Sequence, residues 1–226
     1  DASARVALKS KETLEALKYV KALYSESMTD EVFSWDASSN NRLMLANRGS
    51  ITLNAISVTR TGENQKIPVA DNIWLAPAAK GPVRQVGLQH LLDVYVIWKF
   101  AENIAGAKKF LVDYVGASSK VFEASQFYNF PCFPKTVPNL QSLIVKDTKA
   151  VPADKYKVFQ NVTDWTVNLG YPGYANAAID EIYNSWLISA MFAKCASGKL
   201  SPEAALAEAS SAADGIFSKW RAAGKI

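Results

Sequence analysis

Histidine occurs once in this chain of 226 residues, at position 90, and that scarcity removes most chemistry that depends on an imidazole. A Ser/His/Asp set needs the histidine as base and a GxSxG elbow to carry the serine, and no such elbow is present. Asp93 follows His90 by three residues on a predicted strand, where alternation sends the two side chains to opposite faces. Cysteine is nearly as scarce. Cys132 and Cys195 form no CxxC pair, so neither a zinc site nor a disulfide framework is signalled. One bridge is open to them, and two buried thiols are the expectation. Phosphate loops of the GxxxxGK[ST] and GxGxxG kinds are missing too, so no nucleotide, metal or other cofactor is expected. Apolar runs stay well short of the ~18 residues that span a bilayer. The opening residues, DASARVALKS, lack the apolar core of a signal peptide, which reads as a mature, truncated or cytosolic chain.

Charge of one sign is not in excess either. Lys and Arg number 25 against 21 Asp and Glu, and the basic residues are scattered rather than gathered in a stripe. Nucleic acid is therefore not an expected partner. What the chain does have is aromatic side chains, with six Trp, nine Tyr and ten Phe. Their ring faces can stack on the apolar patches of sugar rings while neighbouring Asn, Gln and His edges bond the hydroxyls. The stretch GYPGYAN supplies both kinds of group. Tyrosines in such a loop can equally do no more than cover a core, and His90 can be a satisfied structural residue.

Periodicity assigns most of the elements. Ser10 caps a helix running to about Met28, and RLMLANRG reads as a short helix ended by Gly49. SITLNAISV alternates and is rich in β-branched residues, so it predicts a strand. Thr59 to Arg84, with Pro68, Pro77 and Pro82, predicts a long irregular connection. Leu91 to Trp98, apolar on both faces except Asp93, predicts a central strand covered on both sides. Gly87 just before it lets backbone and ligand approach closely. A helix over Ile104 to Gly116, another in SSKVFEASQFY and shorter ones in VPNLQSLIVKD and ADKYKVFQNV follow. Ile179, Ile182, Tyr183, Trp186, Leu187 and Ala190 predict one long helix closed by Gly198, with Trp186 and Trp220 as core residues. Ser201, Pro202 and Glu203 open the last helix. The strands are too few for a complete sheet domain.

In this order, SKETLEALKYVKALY, RLMLANRGSITLNA, the proline-bearing AP and KGP segment, DVYVIW, AGAKKFLVDYV, GYPGYANAAIDEIYNSW and MFAKCASGKLSPEAALAEA resemble the C-terminal half of an extracellular solute-binding protein of an ABC importer, in its sugar-binding group. The resemblance covers essentially the whole chain. It implies an α/β, helix-rich fold of the type II periplasmic-binding-protein kind, apparently lacking the N-terminal half, with residues 1–85 and 86–226 contributing to both lobes. It implies capture of a sugar or similar small polar solute between the lobes, hinge closure and delivery to an ABC permease in the membrane. Such proteins are not enzymes and work in the periplasm or outside the cell, held at the membrane through the permease or a lipid anchor. The implied ligand-binding residues are Asn54, Ser57, Gln89, His90, Tyr171, Tyr174 and Asn176, the tyrosines stacking and the others hydrogen-bonding. Where related binders carry a tryptophan just after the Asn54 position, Ile56 and Ser57 stand here. A fragment of this kind leaves a sheet edge bare, so either self-association or a rearrangement is expected. Two other classes stay open: a helical protein-interaction module without a small-molecule site, and a carbohydrate-active enzyme with two carboxylates ~5 to 10 Å apart.

Overall fold

The computed structural model describes residues 5–88 and 94–226. Helices α1 Lys11–Ser27, α2 Ser39–Leu45, α3 Ser57–Asn64, α4 Ile104–Gly116, α5 Ser118–Ala124, α6 Leu140–Val145, α7 Ala177–Asn184, α8 Leu187–Ala196 and α9 Pro202–Ala222 carry the fold. The protein is helix-rich, with 55% of the described residues helical and 2% in strands. Strands among the described residues are two short ones, β1 Gly87–Leu88 and β2 Thr166–Val167, paired with each other. The chain forms two compact units from discontinuous segments. One holds Asp1–Trp35, Leu88–His90 and Val167–Ile226, the other Asp36–Gly87 and Leu91–Thr166.

In the first unit α1, α7, α8 and α9 pack together. The Ser10 side chain caps α1 by accepting from the Thr13 amide, and Ser201 caps α9 by accepting from Ala204. Each cap satisfies a backbone donor that the first turn leaves without a partner. Leu17 of α1, Met191 and Cys195 of α8, and Ala205, Leu206 and Ala209 of α9 close the core. The alanines let the helix axes approach closely. The Cys195 thiol lies buried against the Leu17 carbonyl, and burial pushes its pKa up. Lys219 and the Trp220 indole converge on Glu181 of α7, and the Lys219 bond first, then Trp220, holds that carboxyl below its ordinary range.

The second unit has two apolar clusters. Phe122, Phe127, Val137, Ile144, Ala150 and Tyr156 surround Ile56, and a smaller group joins Met44, Val58 and Ile73. Phe130 meets both Phe122 and Phe159 edge to face, while Phe122 stacks on Phe127.

Several expectations need correction. SITLNAISV does not form a strand: residues 51–55 are irregular, Ile51 and Leu53 face solvent, and Ser57 already belongs to α3. Alternation makes a strand only where another edge supplies the hydrogen bonds. The region after Thr59 is correspondingly less irregular than expected, because α3 continues to Asn64 and a 3-10 turn covers Pro68–Asn72. Of the expected strand Leu91 to Trp98, the first three residues lie outside the described residues and 94–98 are neither helix nor strand. Asn47, with φ of 56°, takes the left-handed position after α2 that Gly49 was expected to hold. The long helix after Asn176 is broken into α7 and α8 at Trp186, whose φ is 57°; its indole is 67% exposed and is not a core residue. Cys132 is exposed and only Cys195 is buried; both are free thiols.

Candidate functional site

The polar run SWDASSNN, whose part from Asp36 on belongs to the second unit, does more than separate two helices. The Asp36 carboxylate accepts from the Ser38 amide, the Ser38 and Ser39 hydroxyls and Arg42, pinning the start of α2. The Ser38 amide first, then Arg42, holds its pKa far below the usual carboxylate range. This anchoring sets Asn40 and Asn41 in the first turn of α2. Asn41 donates to the Ser57 hydroxyl at 3.0 Å, and its side-chain oxygen accepts from the Asn54 amide. Asn40 donates to Thr52 in the same way. Two of the expected ligand residues, Asn54 and Ser57, are thus brought together, through an asparagine that no motif singles out. The only sign of it in the sequence is the capping pattern Asp-x-Ser-Ser ahead of the two asparagines.

Tyr171, Tyr174 and Asn176 belong to the first unit. Gly170 has φ of 88°, and a Cβ built there would lie 2.9 Å from the Tyr174 carbonyl oxygen, so only glycine lets the loop close this tightly. Tyr174 is left 72% exposed and Tyr171 39%. Asn176 acts locally, since its side-chain oxygen accepts from the Ala178 and Ile179 amides at 3.0 Å and caps α7. Gln89 and His90 lie outside the described residues. Gly87 does permit a close approach, but of protein: a Cβ there would sit 2.8 Å from the Trp165 ring, and its amide donates to the Trp165 carbonyl at 2.6 Å. The Trp165 indole N–H is buried with no hydrogen-bond partner among the described residues.

A second polar assembly in the same unit as Asn54 was not anticipated. Glu63 of α3 accepts from Arg60 at 2.9 Å, from Lys155 at 3.1 Å and from the Tyr156 hydroxyl at 3.0 Å. Arg60 also bonds Asp147 at 2.6 Å and the Gln126 carbonyl at 2.9 Å, and its guanidinium lies 3.7 Å above the Tyr156 ring centre. Lys155 donates further to the Ala70 carbonyl at 2.7 Å. All four charged side chains are buried and the set is electrically balanced. Burial raises the Tyr156 pKa well above the ordinary tyrosine value, against the opposing Thr59 bond and Arg60 charge. Every charged member has partners, so the assembly fixes α3 against the segments after Ala150 rather than offering a reactive group.

Beside it lies an open pocket of about 300 Å³, lined by Glu63, Lys66, Pro68, Asp71 and Lys149 among others. None of the expected ligand residues lines it. Among the described residues no group of three or more His, Cys, Asp or Glu stands where it could hold a metal. No described helix is long and apolar enough to cross a membrane. Set beside known proteins, the chain matches no family model and no curated protein.

Proposed function

We propose that this chain is part of the ligand-capturing component of an ABC uptake system, taking a sugar or similar small polar solute and passing it to a membrane permease. It rests on the sequence resemblance set out above, with the finer fold assignment, a type II binding-protein architecture, as part of the proposal. Its place is the periplasm or cell exterior. The observation that carries the reading is the loop from Gly170 to Asn176. A tight glycine turn holds two tyrosines in the loop that leads into a capped helix, which gives stacking faces at low ordering cost. The other unit, by itself, carries in its Asn41, Asn54 and Ser57 cluster amide and hydroxyl groups of the kind that bond sugar hydroxyls. Assembly of each unit from discontinuous segments is also the construction expected of a two-lobed binder.

Tryptophan fluorescence of the chain, titrated with a panel of mono- and disaccharides and polyols, tests the reading. One panel member is expected to give a saturable response with a dissociation constant on the order of micromolar, and Tyr174→Ala should weaken it about tenfold, or ~1.4 kcal/mol. A flat response across the panel overturns the sugar assignment. A second reading, a helical interaction module, is favoured by one observation: α4 has no fully buried residue, and Phe110 and Val112 face solvent.

A further inference from the structure

Residues 94–100 read VYVIWKF, and in the sequence such a run looks like the inside of a protein. In the structure it lies outside any helix or strand, with Val94 77%, Tyr95 55%, Val96 65%, Trp98 63% and Phe100 81% exposed. The run meets the surface of α4 through Tyr95, and its other two rings stack on each other. Tyr95 meets Tyr114 edge-on at 5.4 Å, Tyr114 stacks on Phe110 at 6.0 Å, and Trp98 lies parallel to Phe100 at 5.6 Å. Phe110 is itself 65% exposed. With aromatic side chains presenting roughly 150–250 Å² each, the exposed parts of these residues, which we call the ridge, add up to on the order of 700 Å². That exceeds the ~300–600 Å² of the largest patch on a typical monomer, and approaches the ~800 Å² that each partner brings to a standard interface.

We propose that a second copy of this chain covers the ridge, in a two-fold dimer that sets residues 94–100 and the Phe110 stripe of α4 against their own counterparts. Two features select a like partner. The charges in and beside these segments are mixed, Lys99 and Lys108 with Glu102, while Lys109 and Asp113 pair with each other within α4 at 2.8 Å, so the surface does not call for a partner of strong opposite charge. Lys99, Lys108 and Glu102 can be answered by the same residues across a two-fold axis, as an isologous contact requires. The run is rich in β-branched and aromatic residues, and such a segment, left outside any strand, suits pairing with its own copy. This inference concerns self-association and does not depend on the ligand assigned above.

Sedimentation velocity and light scattering of the full chain, from about 1 to 100 µM, read the oligomeric state. The expected result is a concentration-dependent dimer whose dissociation constant rises at least tenfold, by ~1.4 kcal/mol or more, in Trp98→Ser/Phe110→Ser, with unchanged far-ultraviolet circular dichroism. Tyr19→Ser on exposed α1 should leave the dimer intact. Should the double variant lose its helical signal, Val96→Lys alone is the replacement. A monomer throughout the range overturns the proposal and leaves the ridge to a different protein. A dimer indifferent to the ridge substitutions overturns it equally.

Discussion

Glu63 draws a guanidinium, an ammonium and a phenol onto one carboxylate, and the distances along the chain show what that costs and secures. Lys155 and Asp147 stand 92 and 87 positions from their partners Glu63 and Arg60. Bringing charges that far apart in sequence out of water is unfavourable until every one is matched. Once matched, the removal of one member is what hurts, because it strands the others. Lys155→Met leaves the Ala70 carbonyl and one Glu63 oxygen without their ammonium. It is expected to lower the unfolding free energy by about 3 kcal/mol in urea titrations at unchanged slope. A loss below ~1 kcal/mol would mean that Arg60 and Tyr156 suffice to hold Glu63.

Trp186 separates α7 from α8. Its left-handed backbone carries a cost of ~1–2 kcal/mol for a residue with a side chain, while its mostly exposed indole returns little burial. The backbone bonds at the break, from the Trp186 amide to Tyr183 and from Ala190 to the Trp186 carbonyl, need no side chain. Trp186→Gly is therefore expected to stabilise the chain by about 0.5–1 kcal/mol, after the added freedom of glycine in the unfolded state, and to raise Tm by a few degrees. A fall in Tm would show that the indole packs more than its exposure indicates. The break also illustrates which features of this fold a sequence can express. Ser10, Asn103, Asn176 and Ser201 cap their helices through bonds two or three residues away, so short-range pattern suffices for helix starts. The stripe from Ile179 to Ala190 is equally clear, but one left-handed residue leaves its hydrophobic spacing almost unchanged and so goes unannounced. Strands fail for the opposite reason: SITLNAISV has the right residues, yet its pairing edge would have to come from elsewhere. The candidate site divides along the same line. The Tyr171 to Asn176 loop is local and legible as polar and aromatic, whereas Asn41 joins Asn54 and Ser57 from 13 and 16 positions away, beyond any motif. Nothing in KAVPADKYK marks Lys155 as buried.

Two compact units, each with its own apolar core, make a single folding transition an assumption to be tested rather than granted. Alanine and leucine packing holds the first unit, and interlocked aromatic rings with a buried ionic assembly hold the second. Losses in one therefore need not be felt in the other. The two thiols make this measurable without any engineered probe. Cys132 meets solvent in the second unit, and Cys195 sits at the centre of the first. An alkylating reagent added to the folded chain should consume one sulfur at once and the other only as fast as the first unit opens. The lag between the two mass increments is then a clock for that opening. Leu17→Ala, which removes the leucine beside Cys195 at a cost of about 2–5 kcal/mol, should shorten the lag at least tenfold while the prompt increment keeps its rate. Loss of both sulfurs at a single prompt rate in the unaltered chain would mean that the core around Cys195 is already open. The scarcity of cysteine thus turns the native polypeptide into its own reporter, with one sulfur as the calibration and the other as the signal.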